Sequence, residues 1–323
     1  MAGDLSCLEI CAGAGGQSLG LEQAGFGHEA AVEIEREPCE TLRINRPDWK
    51  VIEDDVREVN GRDFRGIDLL AGGVPCPPFS IAGKQLGQDD ERDLFPEALR
   101  LVEQAKPSAV MLENVRGLST AKFQPYRSFI RQRLADLGYE TEWQVVNACE
   151  FGVPQLRPRF ILVGLRKTYM KKFSWPAPEG SAATVGETLR PLMARDGWVG
   201  AEEWAERADG IGPTIVGGSR KHGGADLGPT RAKAAWLNLG VDGKGIADHG
   251  PNELTPADHV PRLTLEMVAA IQGFPTDWTF FGRKTAAYRQ IGNAFPPPVA
   301  AAVGNAIRES LGAKAARRAV LGL

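Results

Sequence analysis

The chain is poor in the side chains that build metal centres and disulfide scaffolds. Among its 323 residues there are four histidines and five cysteines, Cys7, Cys11, Cys39, Cys76 and Cys149. The cysteines are odd in number and form no CxxC pair, so neither a disulfide framework nor a structural zinc site is expected, and a reducing compartment suits the chain. His222 has no cysteine or histidine at a ligand spacing, and no metal is expected. Long apolar runs are also missing: none reaches membrane-spanning length, and no membrane partner is expected. The opening MAGDLSCLEI lacks a basic stretch followed by an apolar core, so a cytoplasmic protein is expected. Nor is there an excess of positive charge. A formal net charge of −3 argues against non-specific coating of nucleic acid and leaves room for one basic cleft.

What is present is an alternation of strand-like and helix-like stretches. LSCLEIC (5–11) reads as a strand, AGAGG as a turn and QSLGLEQAGF as a helix ending near Gly25. Strands follow at 29–33, 51–56, 67–73 and 108–113, with helices at 36–45, 93–105 and 126–137. YETEWQVVNA and RFILVGL read as two more strands. This order implies an α/β fold with a mainly parallel sheet. From WPAPEG, near residue 175, to about residue 262 the chain is rich in Gly and Pro and reads as loops and short strands, a second and irregular domain. Regular pattern returns at LTLEMVAAIQGFP and in a last helix near 296–311. The basic tail with Lys314, Arg317 and Arg318 reads as a solvated helix end. Cys7, Cys11 and Cys149 read as core packing, and Cys39 as a helix-surface or half-buried residue.

The first strand–turn–helix unit points to a nucleotide-like ligand beyond the carboxyl ends of the strands. Gly13, Gly15 and Gly16 allow close backbone approach. GxGxxG counted from Gly13 would need a glycine at 18, where Ser18 stands, so a nicotinamide dehydrogenase is disfavoured. Glu33, 18 residues past Gly15, is placed to accept from two ribose hydroxyls. Asp55 can meet an adenine amino group and Glu9 a positive charge. Ribose, adenine and a cation together suggest S-adenosylmethionine.

GGVPCPPFS (72–80) holds Cys76 between Pro75 and Pro77–Pro78, which restrict the backbone on both sides. A cysteine nucleophile acts as its thiolate. Strand five ends in Glu113, and adjacent parallel strands share one crevice at their carboxyl ends, so Cys76 and Glu113 are expected to face each other. A thiolate plus a carboxyl group suits attack on an electron-poor ring whose nitrogen is protonated. Gln155, Arg157 and Arg159 alternate on an extended segment, adding guanidinium groups for a ring carbonyl or a phosphate. A cysteine hydrolase would need a histidine base, and no histidine stands in a motif beside Cys76.

EICAGAGGQSLGLEQAGF, VEIE, DDV, GGVPCPPFS, RDLFPEALRLV, ENVRG, FGVPQLRPRFILVG, RLTLEMVAAIQGFP and QIGNAFPPPVA stand in the order of one family and cover nearly the whole chain outside 175–260. On these motifs the chain resembles the DNA (cytosine-5) methyltransferases. The resemblance implies a Rossmann-like S-adenosylmethionine-dependent sheet with a smaller DNA-recognition domain, 1–175 with 283–323 against 176–282. It implies methylation of cytosine C5 within a specific double-stranded DNA sequence, through base flipping and a covalent Cys76–C6 intermediate. Glu113 would protonate or hydrogen-bond N3, Arg159 hold O2, and Arg157 support the site or the DNA backbone. The cofactor, left as S-adenosylhomocysteine, would be held by Glu9, Cys11, Ala12, Gly13, Gly15, Gly16, Glu33, Ile34, Asp55, Val56, Pro75, Asn293 and Ala294. DNA contacts would come from Ser80, Gln155, Thr214, Arg220 and Arg231, with Lys221 and His222 nearby. The segment 76–93, with Gly83 and Gly87, resembles the family's mobile loop. A monomer paired with a restriction endonuclease, acting at the bacterial nucleoid, fits the family.

Departures from the family pattern are Glu9 for an aspartate, Cys11 for an aromatic that would stack on adenine, Pro77 for a glutamine, and Ile34 where some members have an aromatic. A tRNA cytosine-5 methyltransferase remains an alternative, although its Cys-Phe-Thr element is absent. An inactive DNA-binding homologue is another, although Cys76 and Glu113 are both present.

Overall fold

The computed structural model describes residues 5–75, 93–178, 180, 182–218 and 224–321, those beyond 312 as backbone alone. Cys76, Ser80, Gly83, Gly87, Arg220, Lys221 and His222 lie outside the described residues. The chain divides into two compact units. The first is Met1–Val146, Pro158–Pro176 and Ala300–Leu323, the second Asn147–Arg157 and Ala177–Val299.

In the first unit the chain runs β1 (Leu5–Ile10), α1 (Gly16–Gln23), β2 (Phe26–Glu33), α2 (Arg36–Asn45), β3 (Val51–Glu53), β4 (Leu69–Gly73), α3 (Phe95–Ala105), β5 (Ala109–Val115), α4 (Gln124–Asp136) and β6 (Tyr139–Asn147). The two-residue β7 (Gln155–Leu156) belongs to the second unit, and β8 (Pro158–Arg166) with the short α5 (Lys167–Met170) returns to the first. Seven strands form one sheet in the order β3-β2-β1-β4-β5-β8-β6. β1 to β5 pair in parallel, as the alternation predicts. β8 is antiparallel to β5, with Glu113 opposite Ile161 and Val115 opposite Arg159. The start of β8 therefore lies at the edge where the parallel strands end.

β1 is buried along its whole length, which is why its pattern is a continuous run rather than an alternation. One sheet face packs Leu8, Ile10, Val32, Leu70, Val110 and Leu112 against Leu99, Val102, Ile130 and Leu134 of α3 and α4. α3 buries Phe95, Ala98, Leu99, Val102 and Ala105, the spacing of one helical face, and Lys106 ends it in the left-handed region. At Gly72 a Cβ would lie 2.6 Å from the Ile10 carbonyl oxygen, so β1 and β4 need glycine there.

The second unit corrects the expectation of loops and short strands. It holds α6 (Val185–Ala194), α7 (Ala201–Arg207), β9 (Gly212–Pro213), α8 (Thr230–Asn238), α9 (Leu265–Ile271) and α10 (Lys284–Asn293), and α11 (Pro297–Leu321) begins within it. α6 is announced by a capping box, Thr184 with Glu187. α7 and α8 are anchored mainly by one fully buried tryptophan each, Trp204 and Trp236. A short helix with a single anchor leaves no 3.6-residue stripe to read. Residues 283–299 cluster with this unit rather than with the sheet as expected. Packing accounts for it: a Cβ on Gly292 would sit 2.5 Å from the Gly217 nitrogen, and buried Tyr288 donates to the Asp226 carbonyl.

Cys39, expected at or near the surface, is fully buried, and its thiol donates to the Glu33 carbonyl at 3.3 Å. Cys11 and Cys149, expected in the core, are only partly buried. Among the described residues no helix is long and apolar enough to cross a membrane, and no cluster of His, Cys, Asp or Glu is placed to hold a metal ion.

Candidate active site

The turn after β1 is made by backbone that few side chains tolerate. Cys11 has φ 51°, Gly13 φ 54° and Gly15 φ 88°. This turn meets the end of β2 through Glu33. One Glu33 oxygen accepts from the Gly13 N–H at 2.8 Å and the other from the Glu35 N–H at 2.9 Å. Burial raises the Glu33 pKa above the usual carboxylate range, and these backbone N–H groups pull against that rise. Beside it lies a cavity of about 260 Å³ lined by Cys11, Val32, Glu33, Ile34, Glu35, Asp54, Asp55, Val56, Arg57, Pro75 and Leu94.

The cavity wall is apolar on one side and acidic on the other. Ile34 is 61% exposed, a large apolar side chain standing open at the cavity. Asp55 accepts from the Arg57 backbone N–H at 2.9 Å and pairs with its guanidinium at 2.8 Å, which holds its pKa below the ordinary value. Burial pushes the Cys11 thiol far up, so it is a neutral wall group.

Glu9 corrects the expectation that it faces a ligand cation. It does not line the cavity: its carboxylate meets His28 Nε2 at 3.0 Å, both side chains are fully buried, and the His28 ring stacks on Trp49 at 4.2 Å. Ala12, Gly13, Gly15 and Gly16 form the turn itself. Asn293 and Ala294 belong to the second unit, where Asn293 donates to the Gly218 carbonyl at 3.2 Å and the Ala294 carbonyl accepts from Arg157 and Gln272.

The chemical end lies where β4, β5 and β8 meet. Arg159 Nε sits 2.8 Å from Glu113 Oε1, with both side chains largely buried. Burial lowers the Arg159 pKa and the Glu113 charge opposes that shift. Gly73 is paired with Glu113 in the sheet, and a Cβ there would lie 3.4 Å from Glu113 Oε2. The carboxylate thus lies against the backbone three residues ahead of Cys76. That backbone is held on two sides: Asn114 Nδ2 donates to the Val74 carbonyl at 2.7 Å, and the Leu94 N–H donates to the Pro75 carbonyl at 3.2 Å. Asp93 accepts from the Phe95 N–H at 3.1 Å and from the Tyr126 hydroxyl. Sequence reasoning did not single out Asn114, Asp93 or Tyr126. Asn114 lies inside the ENV motif, which was the available signal. Nothing in the local sequence links Asp93 to Tyr126.

Gln155, expected at the DNA, is structural, and Arg157, expected to support the site or the DNA backbone, braces the second unit. Arg157 is 1% exposed and donates to the carbonyls of Ile215 (2.6 Å), Gly292 (2.8 Å) and Ala294 (2.8 Å). It supports the scaffold of the second unit and does not present itself to a phosphate. Gln155 is fully buried, donating to Gln272 at 2.7 Å and accepting from the Ile215 N–H at 2.8 Å. Thr214 is half-buried and donates its hydroxyl to the Leu156 carbonyl. Arg231, on α8, is exposed.

The sheet order and this edge define a Rossmann-like fold of the S-adenosylmethionine-dependent methyltransferase type. The chain belongs to the C-5 cytosine-specific DNA methylases, whose family pattern matches residues 5–309, and is by that membership a DNA (cytosine-5-)-methyltransferase. It is 59% identical over 311 residues to the Type II methyltransferase M.NaeI of Lentzea aerocolonigenes, covering 95% of this chain and 75% of that one. It is 54% identical over 308 residues to the Type II methyltransferase M.NgoMIV of Neisseria gonorrhoeae, covering 94% and 97%. The solved Entamoeba histolytica methyltransferase EhMeth shares the fold, with a TM-score of 0.67 at 14% identity over 95% of this chain and 98% of that one.

Proposed function

We propose that this protein methylates C5 of a cytosine flipped out of a specific double-stranded DNA sequence, using Cys76 as nucleophile and S-adenosylmethionine as methyl donor. The observation that carries the reading is the Glu113–Arg159 pair, set against the strand that leads into Cys76.

The cavity residues fit the cofactor. Each Glu33 oxygen accepts one backbone N–H and keeps a further lone pair for a ribose hydroxyl. Asp55 can accept from an adenine amino group, and Ile34 and Val56 offer apolar surface to the ring. Cys11 gives no aromatic face, so Ile34 carries more of that contact here. When bound, S-adenosylmethionine supplies an electrophilic methyl group.

The protein's own groups do the rest. Cys76 attacks C6 as its thiolate, and once C5 carries the methyl group, loss of the C5 proton to a base expels Cys76 and restores the ring. Glu113 delivers a proton to N3, which draws electrons from C6. Arg159 spends Nε on Glu113 and Nη1 on the Pro158 carbonyl at 3.0 Å, which leaves Nη2 for the cytosine O2. Residues 176–282, with Thr214, Arg220 and Arg231, read the DNA sequence, and Ser80 adds a contact. The protein acts as a monomer on bacterial DNA, alongside a restriction endonuclease that cuts the same sequence.

Cys76→Ser, compared with wild type by bisulfite sequencing of DNA from expressing cells, is the test. Wild type should leave a single recurring sequence methylated and the variant none. Methylation retained by Cys76→Ser would overturn the nucleophile.

A further inference from the structure

We propose that the surface following β5, made by Arg116, Lys122 and Arg131, is a second DNA-holding surface that grips phosphates flanking the target from within the sheet unit. This inference rests on the reading of the chain as a DNA methyltransferase.

Between Asn114 and Leu137 the chain carries Arg116, Lys122, Arg127, Arg131 and Arg133 against one acid, Asp136, although its net charge is −3. Asp136 is occupied by Gln132, whose amide donates to it at 2.8 Å. By contrast Arg46, Arg100 and Arg195 are each held by an acid, Glu22, Glu97 and Glu266. Arg116 and Arg131 are exposed and make no ion pair among the described residues. Lys122 is exposed and lies 5.8 Å from the Phe123 ring. Arg127 and Arg131 stand four residues apart on one flank of α4, a mildly destabilising like-charge spacing that a bound phosphate would relieve.

The surface is rigidly presented. Arg127 Nη1 donates to the carbonyls of Leu118 (2.6 Å) and Thr120 (2.7 Å), and the Thr120 hydroxyl donates to the Gly117 carbonyl at 3.0 Å. Two 3₁₀ turns, Arg116–Ser119 and Ala121–Phe123, are thereby braced against α4. Arg116 follows Glu113 by three residues, at the carboxyl edge of the sheet. A duplex that offers a base to Glu113 must carry its flanking phosphates across this edge. Contacts to phosphate fix position and carry no sequence information.

Arg116→Ala, Lys122→Ala, Arg131→Ala and the triple variant can be tested by anisotropy of a fluorescein-labelled mixed-sequence duplex across a salt series. Each single change should lower the log affinity–log salt slope by about 1, and the triple by about 3, with affinity weakened alike for all sequences. Arg116→Lys should keep the slope. Arg65→Ala, ahead of β4 at the opposite edge of the sheet, should also leave it unchanged. The methylated sequence should be the same in every variant. An unaltered slope in the triple variant overturns the inference and leaves a solvated basic face. Methyl transfer from labelled S-adenosylmethionine by the wild type keeps the two readings apart: its absence would sink the methyltransferase reading itself.

Discussion

Arg159 at the start of β8 reaches Glu113 near the end of β5, Nε to Oε1 at 2.8 Å, because the two strands run antiparallel. The residues are diagonal neighbours across the ladder, a separation that long side chains span. A parallel β8 would have put its own carboxyl end at this edge and Arg159 at the other. Arg159→Ala should lower the single-turnover rate of methyl transfer by roughly a hundredfold or more, the usual range for loss of a proton-transfer or ring-holding group. Glu113→Gln should do the same with cofactor binding unchanged. A rate within a factor of two of wild type in either variant would remove that residue from the chemistry.

With Glu33 holding the cofactor ribose as proposed, cofactor binding should depend on pH. The Glu33 carboxylate must be ionised to hold two N–H groups and two hydroxyls, and burial raises its pKa. As pH falls, Glu33 therefore takes up its proton before an ordinary glutamate would, and cofactor affinity should decline from that higher pH. Calorimetry across a pH series should show this decline in wild type. Glu33→Gln should bind more weakly, by roughly 1–3 kcal/mol, and lose the pH dependence. An identical pH profile in the variant would assign the decline to another group.

Asn114 is a positioning residue for the backbone that leads into Cys76. Asn114→Ala leaves the Val74 carbonyl without its side-chain donor, which costs roughly 1–3 kcal/mol for a buried group. The melting temperature should fall, and kcat should fall further than KM rises. A purely structural role would lower the melting temperature and leave kcat of the folded enzyme intact.

Arg157→Lys should destabilise by about 2 kcal/mol or more, because one ammonium cannot reproduce the planar fork that serves three carbonyls. Chemical denaturation measures it. Since those partners are backbone, exchanging residues 176–262 with a relative of different specificity should preserve stability while the methylated sequence changes. A chimera that folds and keeps the original sequence would place recognition elsewhere.

Gly72→Ala adds a methyl 2.6 Å from the Ile10 carbonyl, between two paired strands that cannot part. A loss of roughly 1–3 kcal/mol is expected from overpacking, read as a lower denaturation midpoint with unchanged slope. Equal stability would mean that the β1–β4 pair yields more than a packed sheet should.

The sheet was legible because its signals are local. A buried parallel strand is a continuous apolar run, and α2 and α3 carry the spacing of one buried face, so 36–45 and 93–105 were readable almost to their ends. α7 and α8 were not, since one tryptophan anchors each and a single anchor has no period. Cys39 was misread for a related reason: α2 is polar in composition, and which of its faces β2 covers is not a property of the helix alone.

By itself the sequence determined the order of strands and helices in the sheet unit, the family, and the residue types at the reaction edge, because motifs are contiguous and their spacing is set by chain geometry. Only the tertiary structure decided which charged groups face the site. Glu9 turned to His28, Arg157 and Gln155 were taken up inside the second unit, and Arg159 met Glu113 through an antiparallel pairing. A carboxylate or guanidinium has the same sequence letter in either place. Its partner, tens of residues away, determines whether it is scaffold or chemistry.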